Sequence, residues 1–260
     1  MYLNEGLFAL SLGRPYEPME TSIINAFVKR GDTVIDLGAN VGYYTLLFAR
    51  LVGQNGRVVA FEPSPANCEI LEKNVRINGY RNVEINQMAV SDKSGKARLQ
   101  LSVNPGDNRI QSNDLQLDKR RKKTVGSSYV EVETVSLDEY FGKSDGNIDF
   151  IKMDVQGAEH SAILGMQRTL VRNIKIKILT EFFPKLLSEF GAKPSDYLQL
   201  LQQNGFLIYR LDEANCKIVP TSPSSLLRIY SGQLREDYIN ILLAREHLNE
   251  SIVPLRRFER

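Results

Sequence analysis

The sequence predicts an α/β protein whose core is a mostly parallel β-sheet. From residue 33 onward, short apolar segments alternate with longer segments of helical period, and this alternation is typical of parallel strands joined by crossover helices. The chain has 260 residues, of which 42% are hydrophobic, which is enough to bury one core of ordinary size. Since no Pro-, Gly- or Ser-rich linker divides it, we expect a single domain over residues 1–260.

The sheet is predicted to begin with two strand–turn–helix units. A buried strand over residues 33–37 is followed by apolar residues at helical spacing over residues 42–51. A second strand over residues 57–61 precedes a Ser-Pro pair at residues 64–65, which favours the start of a helix because Ser caps the first turn and Pro is tolerated in it. We expect that helix to reach about residue 79.

A third strand is expected over residues 82–88, followed by an insertion over residues 95–136. Residues 96–103 and 129–135 alternate apolar with polar side chains, which predicts antiparallel strands on either side of a long polar loop. The loop carries the basic run KRRKK at residues 119–123 and is expected to be mobile. This run can contact an anionic acceptor or nucleic acid, although a solvated loop that contacts nothing is the more common case.

Further strands are predicted in the second half of the chain. Residues 148–154 form a strand that leads through Gly157 into a helix, and residues 174–183 form the next strand. The first 30 residues, helical over residues 20–30, are expected to cap the sheet edge or the site. The predicted order ends with a helix over residues 195–204, strands over residues 206–211 and 226–231, and a helix over about residues 233–248.

Charge and composition disfavour several classes of function. Lys and Arg total 33 and Asp and Glu total 31, so the formal net charge is +2 and no protein-wide field favours nucleic acid or a membrane as the partner. No stretch approaches about 18 apolar residues, and Asn4 and Glu5 stand where a signal peptide carries basic residues. Cys68 and Cys216 lack disulfide or metal-ligand spacing. We therefore expect a cytoplasmic protein without a metal site.

The sequence DLGANVG, which begins at Asp36, is the strongest ligand signal in the chain. It lies between a predicted strand and a predicted helix, where Gly38 and Gly42 permit a sharp turn and a close approach of a ligand to the backbone. Asn40 replaces the second glycine of the G-x-G-x-x-G fingerprint, which disfavours a pyrophosphate. We predict a nucleotide-type site that includes Ala39 and lacks a pyrophosphate subsite. A tight turn with no ligand is the alternative.

Residues at the ends of the second and third strands extend this predicted site. Glu62 follows the second strand, where a carboxylate can accept hydrogen bonds from both hydroxyls of a ribose, and Pro63 lies beside it. Met88 and Ala89 end the third strand and can frame an adenine ring with a flexible sulfur-bearing side chain and with backbone groups. Packing in the core is the alternative for Met88.

Four blocks of sequence, in this order, resemble the FkbM family of S-adenosylmethionine-dependent methyltransferases. They are GDTVIDLGANVGYYT at residues 31–45, AFEPSPAN at 60–67, NVEINQMAVSD at 82–92 and DFIKMDVQGAE at 149–159. The resemblance runs from about residue 16 to residue 181. It implies a Rossmann-like class I methyltransferase fold, with a mostly parallel seven-stranded sheet, helices on both faces and the antiparallel insertion described above.

The resemblance also implies S-adenosyl-L-methionine as the cofactor. It implies that Asp36 and the backbone of residues 38–40 hold the methionine portion, that Glu62 binds the ribose, and that the region of Ala89 binds the adenine. Gln156 stands where the family usually has Glu, and we interpret it as a support of the loop.

The strand order that the resemblance implies places Asp36 and Asp154 on either side of the crevice, with Asp154 facing the methyl group. For a hydroxyl acceptor, Asp154 can accept the proton, and Glu181 at the end of the next strand can share the pocket. Lys152 lies on the same strand face as Asp154, where it can keep a carboxylate ionised or only support the loop by a salt bridge. The two carboxylates can equally bind a divalent cation through their oxygens.

Three other side chains are reserve candidates. His160, in the first turn of a predicted helix, can shuttle a proton near neutral pH, although a surface histidine is the more common case. Glu17 and Glu20 can close over the amino group of the cofactor, or form only an acidic first helical turn.

These observations lead to one main hypothesis and two alternatives. The main hypothesis is a methyltransferase that uses S-adenosyl-L-methionine to O-methylate a hydroxyl of a sugar, a glycan or another small metabolite. The first alternative is a nucleotide-dependent oxidoreductase or epimerase, and the absence of a Tyr-x-x-x-Lys pair from the sequence counts against it. The second is a non-catalytic cofactor-binding module. Nucleic acid is disfavoured as a partner because aromatic residues do not interleave with the basic run, and no membrane partner is expected.

Overall fold

The computed structural model describes residues 16–102, 108–111, 128–142, 146–230 and 238–249. Within these ranges the strands, in chain order, are β1 Thr33–Leu37, β2 Arg57–Phe61, β3 Val83–Asn86, β4 Ala89–Val90, β5 Gly95–Leu101, β6 Arg109–Ile110, β7 Ser128–Val135, β8 Phe150–Met153, β9 Lys177–Phe182, β10 Leu207–Asp212, β11 Lys217–Thr221 and β12 Ile239–Ala244. The helices of the same ranges are α1 Pro18–Phe27, α2 Tyr43–Val52, α3 Pro65–Ile77, α4 Leu137–Tyr140, α5 Glu159–Leu164, α6 Gln167–Arg172, α7 Pro184–Phe190, α8 Pro194–Gln203 and α9 Pro223–Ile229.

Eight of the described strands form one large sheet, in the order β11-β10-β12-β9-β8-β1-β2-β3. The strands from β3 to β9 in this order run parallel, which confirms the α/β class predicted from the alternating pattern. The chain passes from β1 to β2 and β3 on one side, and later returns to β8 and β9 on the other. Ligands of open α/β sheets bind where the strand order reverses in this way, so the carboxyl ends of β1 and β8 mark the expected site.

The alternating segments on either side of the basic run belong to a second sheet, in the order β4-β7-β5-β6. β5 and β7 pair antiparallel along their length, as their period-two pattern predicts. The basic run at residues 119–123 lies outside the described residues.

The large sheet buries apolar side chains on both faces. Val34, Phe150, Leu179 and Leu242 lie on one face, which packs against α1 and α2. The next residue of each strand lies on the other face, as Ile35 does, together with apolar residues of α5, α6, α7 and α8. This two-sided burial explains the continuous apolar runs of the strands. In the part of the chain that the structure describes, no helix combines the length and apolarity needed to cross a bilayer.

The sequence predictions for the end of the chain are wrong. Residues 226–231 are predicted as a strand, but most of them belong to α9, which begins after Ser222, whose side chain accepts a hydrogen bond from Ser225 N. Residues 233–248 are predicted as a helix, but Ile239–Ala244 forms β12, antiparallel to both β9 and β10. A strand that is buried on both faces is a continuous apolar run, and its hydrophobic periodicity does not distinguish it from a buried helix.

Two smaller differences concern the extent of the sheet and of the first helix. The resemblance implies seven strands, whereas the described residues place eight in the large sheet because β11 adds an antiparallel edge to β10. The helix predicted over residues 20–30 begins earlier and ends earlier, as α1, with Pro18 in its first turn. Proline is favourable there because that position needs no N–H donor.

Candidate active site

The turn between β1 and α2 is held tightly against the neighbouring strand ends. The N–H groups of Gly38 and Ala39 both donate to the carbonyl of Phe61, at 2.9 and 3.0 Å. The φ angle of Gly38 is +80°, and a Cβ atom there would lie 1.9 Å from the carbonyl oxygen of Asp154. Glycine is therefore required at position 38 both for the conformation of the turn and for its contact with the loop after β8.

Asp36 and Gly42, two residues predicted to bind the cofactor, stabilise this turn and do not line the cavity described next. The Asp36 carboxylate is buried in β1 and accepts a hydrogen bond of 2.6 Å from the Thr45 hydroxyl. Burial raises its pKa to about 6. Gly42 has a φ angle of +98° and directly precedes α2, and a Cβ atom there would lie 2.5 Å from a methyl group of Leu71. Both residues therefore shape the turn.

A cavity of about 90 Å³ opens above the turn at the carboxyl ends of the strands, in a cleft whose total empty space, open solvent included, is about 850 Å³. Its position is that of the ligand site in open α/β sheets. The predicted site residues that line it are Gly38, Ala39, Asn40, Glu62, Pro63, Met88, Ala89 and Asp154. Among the described residues that line it there are carboxylates and no lysine or arginine. The lining is thus unsuited to a pyrophosphate and compatible with a phosphate-free, positively charged nucleoside.

Glu62 lies at the centre of a hydrogen-bond network on one wall of the cavity. One carboxylate oxygen accepts from the backbone N–H of Asn40 at 2.8 Å, and the other accepts from that of Ser64 at 2.9 Å. The Asn67 amide lies 3.4 Å from the second oxygen. These bonds hold the carboxylate in one orientation, while burial raises its pKa to about 7. The turn and the end of β2 are therefore coupled through this single side chain.

The wall beyond Glu62 is apolar. Phe61, Met88, Val90, Leu99 and Ile110 line it, so β4, β5 and β6 of the second sheet contribute to the same cavity as the large sheet. Met88 also packs against the main core, and the two roles considered for it therefore occur together. An apolar slot of this kind suits the faces of an adenine ring.

Asp154 lies at the opposite end of the cavity, directly after β8. One of its carboxylate oxygens accepts from the Gln156 side-chain amide at 2.7 Å, and the other lies 3.7 Å from Lys152 Nζ. Its side chain is 36% exposed, so it is open to a ligand. Gln156 therefore orients Asp154, and the loop is supported instead by Glu159, which accepts from the N–H groups of Val155 and Gly157 at 3.3 and 3.2 Å.

Lys152 and Glu181 lie beneath Asp154 and do not line the cavity. Lys152 is buried, with Nζ 5.2 Å from the centre of the Tyr44 ring. Burial lowers its pKa, but nearby carboxylates, Asp154 first among them, outweigh this effect and raise it. Burial, followed by the charge of Asp154, raises the pKa of Glu181 well above its usual range. The structure thus couples Glu181 electrostatically to Asp154 without exposing it to the cavity.

The start of α1 covers this carboxylate-rich region. Glu17 accepts a hydrogen bond from the Tyr44 hydroxyl at 2.5 Å. Glu20 is buried and accepts from the Asn240 amide of β12 at 2.5 Å, and burial raises its pKa to about 7. The structure therefore places both glutamates near the methyl-transfer end predicted from the sequence, although neither lines the cavity.

Sequence reasoning missed a group of aromatic side chains. Tyr16, Tyr43 and Tyr44 line the cavity near Asp154, and their rings pack edge to face with centres 5.0 to 6.3 Å apart. The adjacent tyrosines after Gly42 were the available signal, because the first turn of a helix after such a turn points toward the ligand.

His160 does not join the site. It lies outside the cavity lining, and burial lowers its pKa, an effect that Asp196 opposes. Within the described ranges, no group of three or more His, Cys, Asp or Glu side chains has the arrangement of a metal site.

Sequence comparisons identify relatives of the chain. Residues 36–208 match the Methyltransferase FkbM domain family, a range that contains all the predicted catalytic and cofactor-binding residues. The methyltransferase sdnD of Sordaria araneosa is 31% identical over 169 residues, which are 55% of this chain and 65% of that protein, just under two thirds of its length. The 2-O-methyltransferase NoeI of Sinorhizobium fredii is 28% identical over 192 residues, which are 66% of this chain and 77% of that protein.

A solved structure shares the fold. A Clostridium thermocellum protein assigned to the rRNA methylases superposes with a TM-score of 0.52 at 15% identity, covering 96% of this chain and 100% of that one. At this identity the likeness concerns the fold alone.

Proposed function

Because the chain belongs to the FkbM family of S-adenosylmethionine-dependent methyltransferases, we propose that it methylates a hydroxyl group of a small polyhydroxylated acceptor, such as a sugar or glycan. The observation that carries the proposal is the position of Asp154. Its carboxylate faces the cavity at the end opposite the apolar slot, where a bound nucleoside would present its sulfur-bearing tail. A base at this position is suited to a hydroxyl acceptor, which must lose a proton.

The residues of the cavity fit the cofactor. The ionised Glu62 would accept hydrogen bonds from the ribose hydroxyls, and Phe61, Met88 and Leu99 would flank the adenine. The backbone of residues 38–40 would contact the methionine portion, with Asp36 and Thr45 holding the turn in place. When bound, the cofactor supplies an electrophilic methyl group on a positively charged sulfur. The carboxylate-containing lining without lysine or arginine suits that charge.

The chain's own contribution to the reaction would be positioning and proton acceptance. Holding the acceptor oxygen in line with the methyl carbon supplies most of the acceleration in such displacements. Asp154 would accept the proton as the oxygen loses it, which contributes about 10²- to 10⁴-fold. Gln156 and Lys152 hold Asp154 in place, through a 2.7 Å hydrogen bond and a 3.7 Å ion pair.

The choice of a hydroxyl acceptor is supported by two observations. NoeI, a relative over about two thirds of this chain, is a 2-O-methyltransferase. The tyrosine rings of residues 16, 43 and 44 present apolar surface and hydroxyl groups at the same end of the cavity as Asp154, a combination that suits a sugar. A cytoplasmic location and the absence of a nucleic-acid partner remain predictions from the sequence.

The alternative oxidoreductase function is disfavoured by the cavity itself. A dinucleotide would place its pyrophosphate against the turn, but Asn40 occupies the position of the second glycine and the carboxylate of Glu62 bonds its N–H. A non-catalytic module is disfavoured because Gln156 orients Asp154 and leaves it accessible.

Binding and turnover experiments test the proposal. Calorimetry is expected to show binding of S-adenosylhomocysteine and none of NAD. With labelled S-adenosylmethionine and a panel of sugars and glycans, Asp154→Asn is expected to lower kcat by about 10²-fold or more, with little change in cofactor affinity. Asp92→Asn, at a carboxylate outside the cavity lining, is the matched control. Binding of NAD in place of S-adenosylhomocysteine, or full activity of Asp154→Asn, would contradict the proposal.

A further inference from the structure

Tyr44 joins the start of α1 to the lysine that lies beneath Asp154. Its hydroxyl donates a hydrogen bond of 2.5 Å to the carboxylate of Glu17, the residue that directly precedes α1. Lys152 Nζ lies over the Tyr44 ring, 5.2 Å from its centre. The same ammonium group lies 3.7 Å from a carboxylate oxygen of Asp154. A series of direct contacts therefore runs from the start of α1 to the carboxylate that faces the cavity.

Lys152 and Tyr44 meet on one face of the large sheet. Lys152 follows Phe150 by two residues in β8, so both side chains point to the face that α1 and α2 cover. The Phe150 ring packs against Phe48 of α2 with centres 6.0 Å apart, and Phe48 packs against Tyr44, one helical turn earlier, with centres 6.3 Å apart. The packing of α2 on β8 therefore places the Tyr44 ring beside the lysine.

Asp154 alone does not fix the ammonium group of Lys152. Hydrogen bonds between an ammonium and a carboxylate are about 2.7–2.9 Å long, so a separation of 3.7 Å restrains the pair less closely. An ammonium group is attracted to the face of an aromatic ring, and more strongly where both are removed from water. Lys152 and Tyr44 are both buried. The ring is therefore a second contact that holds Nζ beside Asp154.

The start of α1 holds the ring in turn. Glu17 has a φ angle of +42°, which is uncommon for a residue other than glycine and persists where neighbouring contacts maintain it. The Thr21 hydroxyl donates to the carbonyl of Tyr16 at 2.9 Å, and since its proton is used there, it accepts from the Tyr43 hydroxyl at 3.2 Å. The start of α1 is therefore anchored to two neighbouring tyrosines of α2, and the Glu17 bond restrains the tip of the Tyr44 ring.

We propose that Tyr44 is a positioning residue for the carboxylate that accepts the proton, and that Glu17 sets the orientation of its ring. The inference rests on the proposed function of Asp154. The ring keeps the ammonium group of Lys152 beside Asp154, and the lysine keeps the carboxylate in its place at the cavity. The effect of the Tyr44 hydroxyl on the rate therefore passes through Lys152 and Asp154.

The experiment measures methyl transfer by the full chain and its variants, with labelled S-adenosylmethionine. Tyr44→Phe removes the hydroxyl and keeps the ring. Glu17→Ala removes the acceptor of its hydrogen bond, whereas Glu17→Gln keeps an oxygen that can accept it. Tyr140→Phe is the matched control, because the Tyr140 hydroxyl also donates to a glutamate, Glu84, and lies outside the cavity lining. Tyr44→Phe and Glu17→Ala are also each combined with Asp154→Asn.

Tyr44→Phe and Glu17→Ala are each expected to lower kcat about tenfold, less than the loss of about 10²-fold for a 1 Å misplacement, with the KM for the cofactor unchanged. Glu17→Gln should restore kcat to within about twofold of the wild type, and Tyr140→Phe should stay within the same range. In the Asp154→Asn background, Tyr44→Phe should change kcat by less than about twofold, because the carboxylate that it positions is already absent. A purely structural role, or a direct contact with the acceptor, would give the same loss in both backgrounds.

A second measurement does not depend on turnover. In ligand-free protein with isotope-labelled lysine, the protons next to Lys152 Nζ should resonate upfield of those of the exposed Lys93, because an aromatic ring shields protons over its face. This displacement should become smaller in Glu17→Ala and in Tyr44→Phe, since the ring is no longer held by its hydroxyl. The spectra therefore report on the placement of the lysine whether or not the chain transfers a methyl group.

Several results would overturn the inference. One is an equal loss of kcat on Tyr44→Phe in the two backgrounds, and another is wild-type kcat in a folded Glu17→Ala protein. Should Tyr44→Phe fail to fold, Glu17→Ala decides in both backgrounds. If the wild-type chain transfers no methyl group to any acceptor, the proposed function fails, and if Asp154→Asn is too slow to compare, the spectra decide. Lys152 signals that are the same in the wild type and Glu17→Ala would then count against the positioning role independently.

Discussion

Replacing Gly38 with alanine tests the contact that shapes the cavity. A Cβ atom at this position would lie 1.9 Å from the carbonyl oxygen of Asp154 and 2.9 Å from its carbonyl carbon. Both atoms belong to the backbone of the loop after β8, which is joined to β1 by a 2.9 Å hydrogen bond from Asp154 N to Leu37 O. A rotamer change cannot relieve this clash. The two strand ends must separate by about 1 Å to reach a tolerable 3.0 Å.

The expected cost follows from two terms. The φ angle of +80° at Gly38 costs an L-residue about 1–2 kcal/mol, and overpacking of a close-packed site costs about 1–3 kcal/mol. Gly38→Ala should therefore lower the free energy of unfolding by about 2–5 kcal/mol. Because a 1 Å misplacement of a catalytic group can cost about 10²-fold in rate, the displacement of Asp154 should reduce turnover by a similar factor.

Gly79→Ala is the matched control for this prediction. Gly79 has a φ angle of +71° and no atom within 4 Å of its Cβ position, so only the backbone term of about 1–2 kcal/mol applies. Urea unfolding, calorimetric binding of S-adenosylmethionine and initial rates are measured for both variants. Equal losses of stability in the two variants, together with wild-type cofactor binding by Gly38→Ala, would refute the reasoning that this contact shapes the site.

Three further predictions concern the buried charges. The pKa values of Glu20, Asp36, Glu62 and Glu159 are raised to about 7, 6, 7 and 7. The native state therefore binds more protons than the unfolded state from about pH 4.5 to 7. Urea unfolding of the ligand-free chain should show that stability falls as the pH rises through this window, because the native state loses the extra protons there, and greater stability at pH 8 than at pH 5 would contradict this. Lys152→Met removes the buried cation that faces Asp36, Asp154 and Glu181, so it should destabilise the chain by about 3–5 kcal/mol at pH 8 and by less at pH 5, where the raised carboxyl groups are protonated. A loss that is the same at both pH values would show that packing, and not charge, is responsible. Glu62→Gln should weaken binding of S-adenosylmethionine at least tenfold at pH 8, since a hydrogen bond to a charged group contributes about 1.5–3 kcal/mol. Calorimetry should also show that wild-type affinity rises with pH through about 7 while that of the variant does not, and parallel pH profiles would count against the ribose role.

The first half of the fold could be predicted from the sequence because its signals are local. β1 and β2 are short apolar runs, with Gly38 directly after the first and Pro63 two residues after the second. The cap of α3 is visible as Ser64 before Pro65. The turn from Asp36 to Gly42 can be recognised by its glycines, because glycine is needed where φ is positive and where two backbone segments approach closely. These constraints act within a few residues, so they can be recognised without the tertiary structure.

The last strand could not be predicted, since its identity depends on its neighbours. The run Ile239–Ala244 is largely apolar on both faces because β12 lies between β9 and β10. The same sequence is also compatible with a buried helix. The misassigned α9 has the same origin. Its Ser222 cap and Pro223 indicate a helix start, but the short apolar segment that follows is also compatible with a strand.

The sequence identifies residues of the candidate site, but it shows only in part which of them reach the cavity. The motifs identify Glu62, Met88 and Asp154, which line the cavity, but they equally suggest Glu181 and Lys152, which lie beneath it. Strand register explains the difference. Asp36 pairs with Lys152, and Lys152 pairs with Leu179, so these side chains share the sheet face that α1 covers. A sequence shows which residues end strands, but not which helix closes over them.

The polar residues on this covered face connect the stability of the fold to the chemistry of the cavity. Asp36, Lys152, Glu181 and Asn240 follow one another across adjacent strands, and Glu20 of α1 bonds the last of them. Lys152 is the cation among these residues, and burial raises the pKa values of Glu20, Asp36 and Glu181, which favours their protonated forms in the ligand-free state. A sulfonium bound beside Asp154 would add positive charge to the same field. Binding of the cofactor should then favour the ionised forms of Asp36 and Glu181, whose pKa values are raised in the ligand-free chain, so cofactor binding should release protons from the carboxyl groups beneath the cavity.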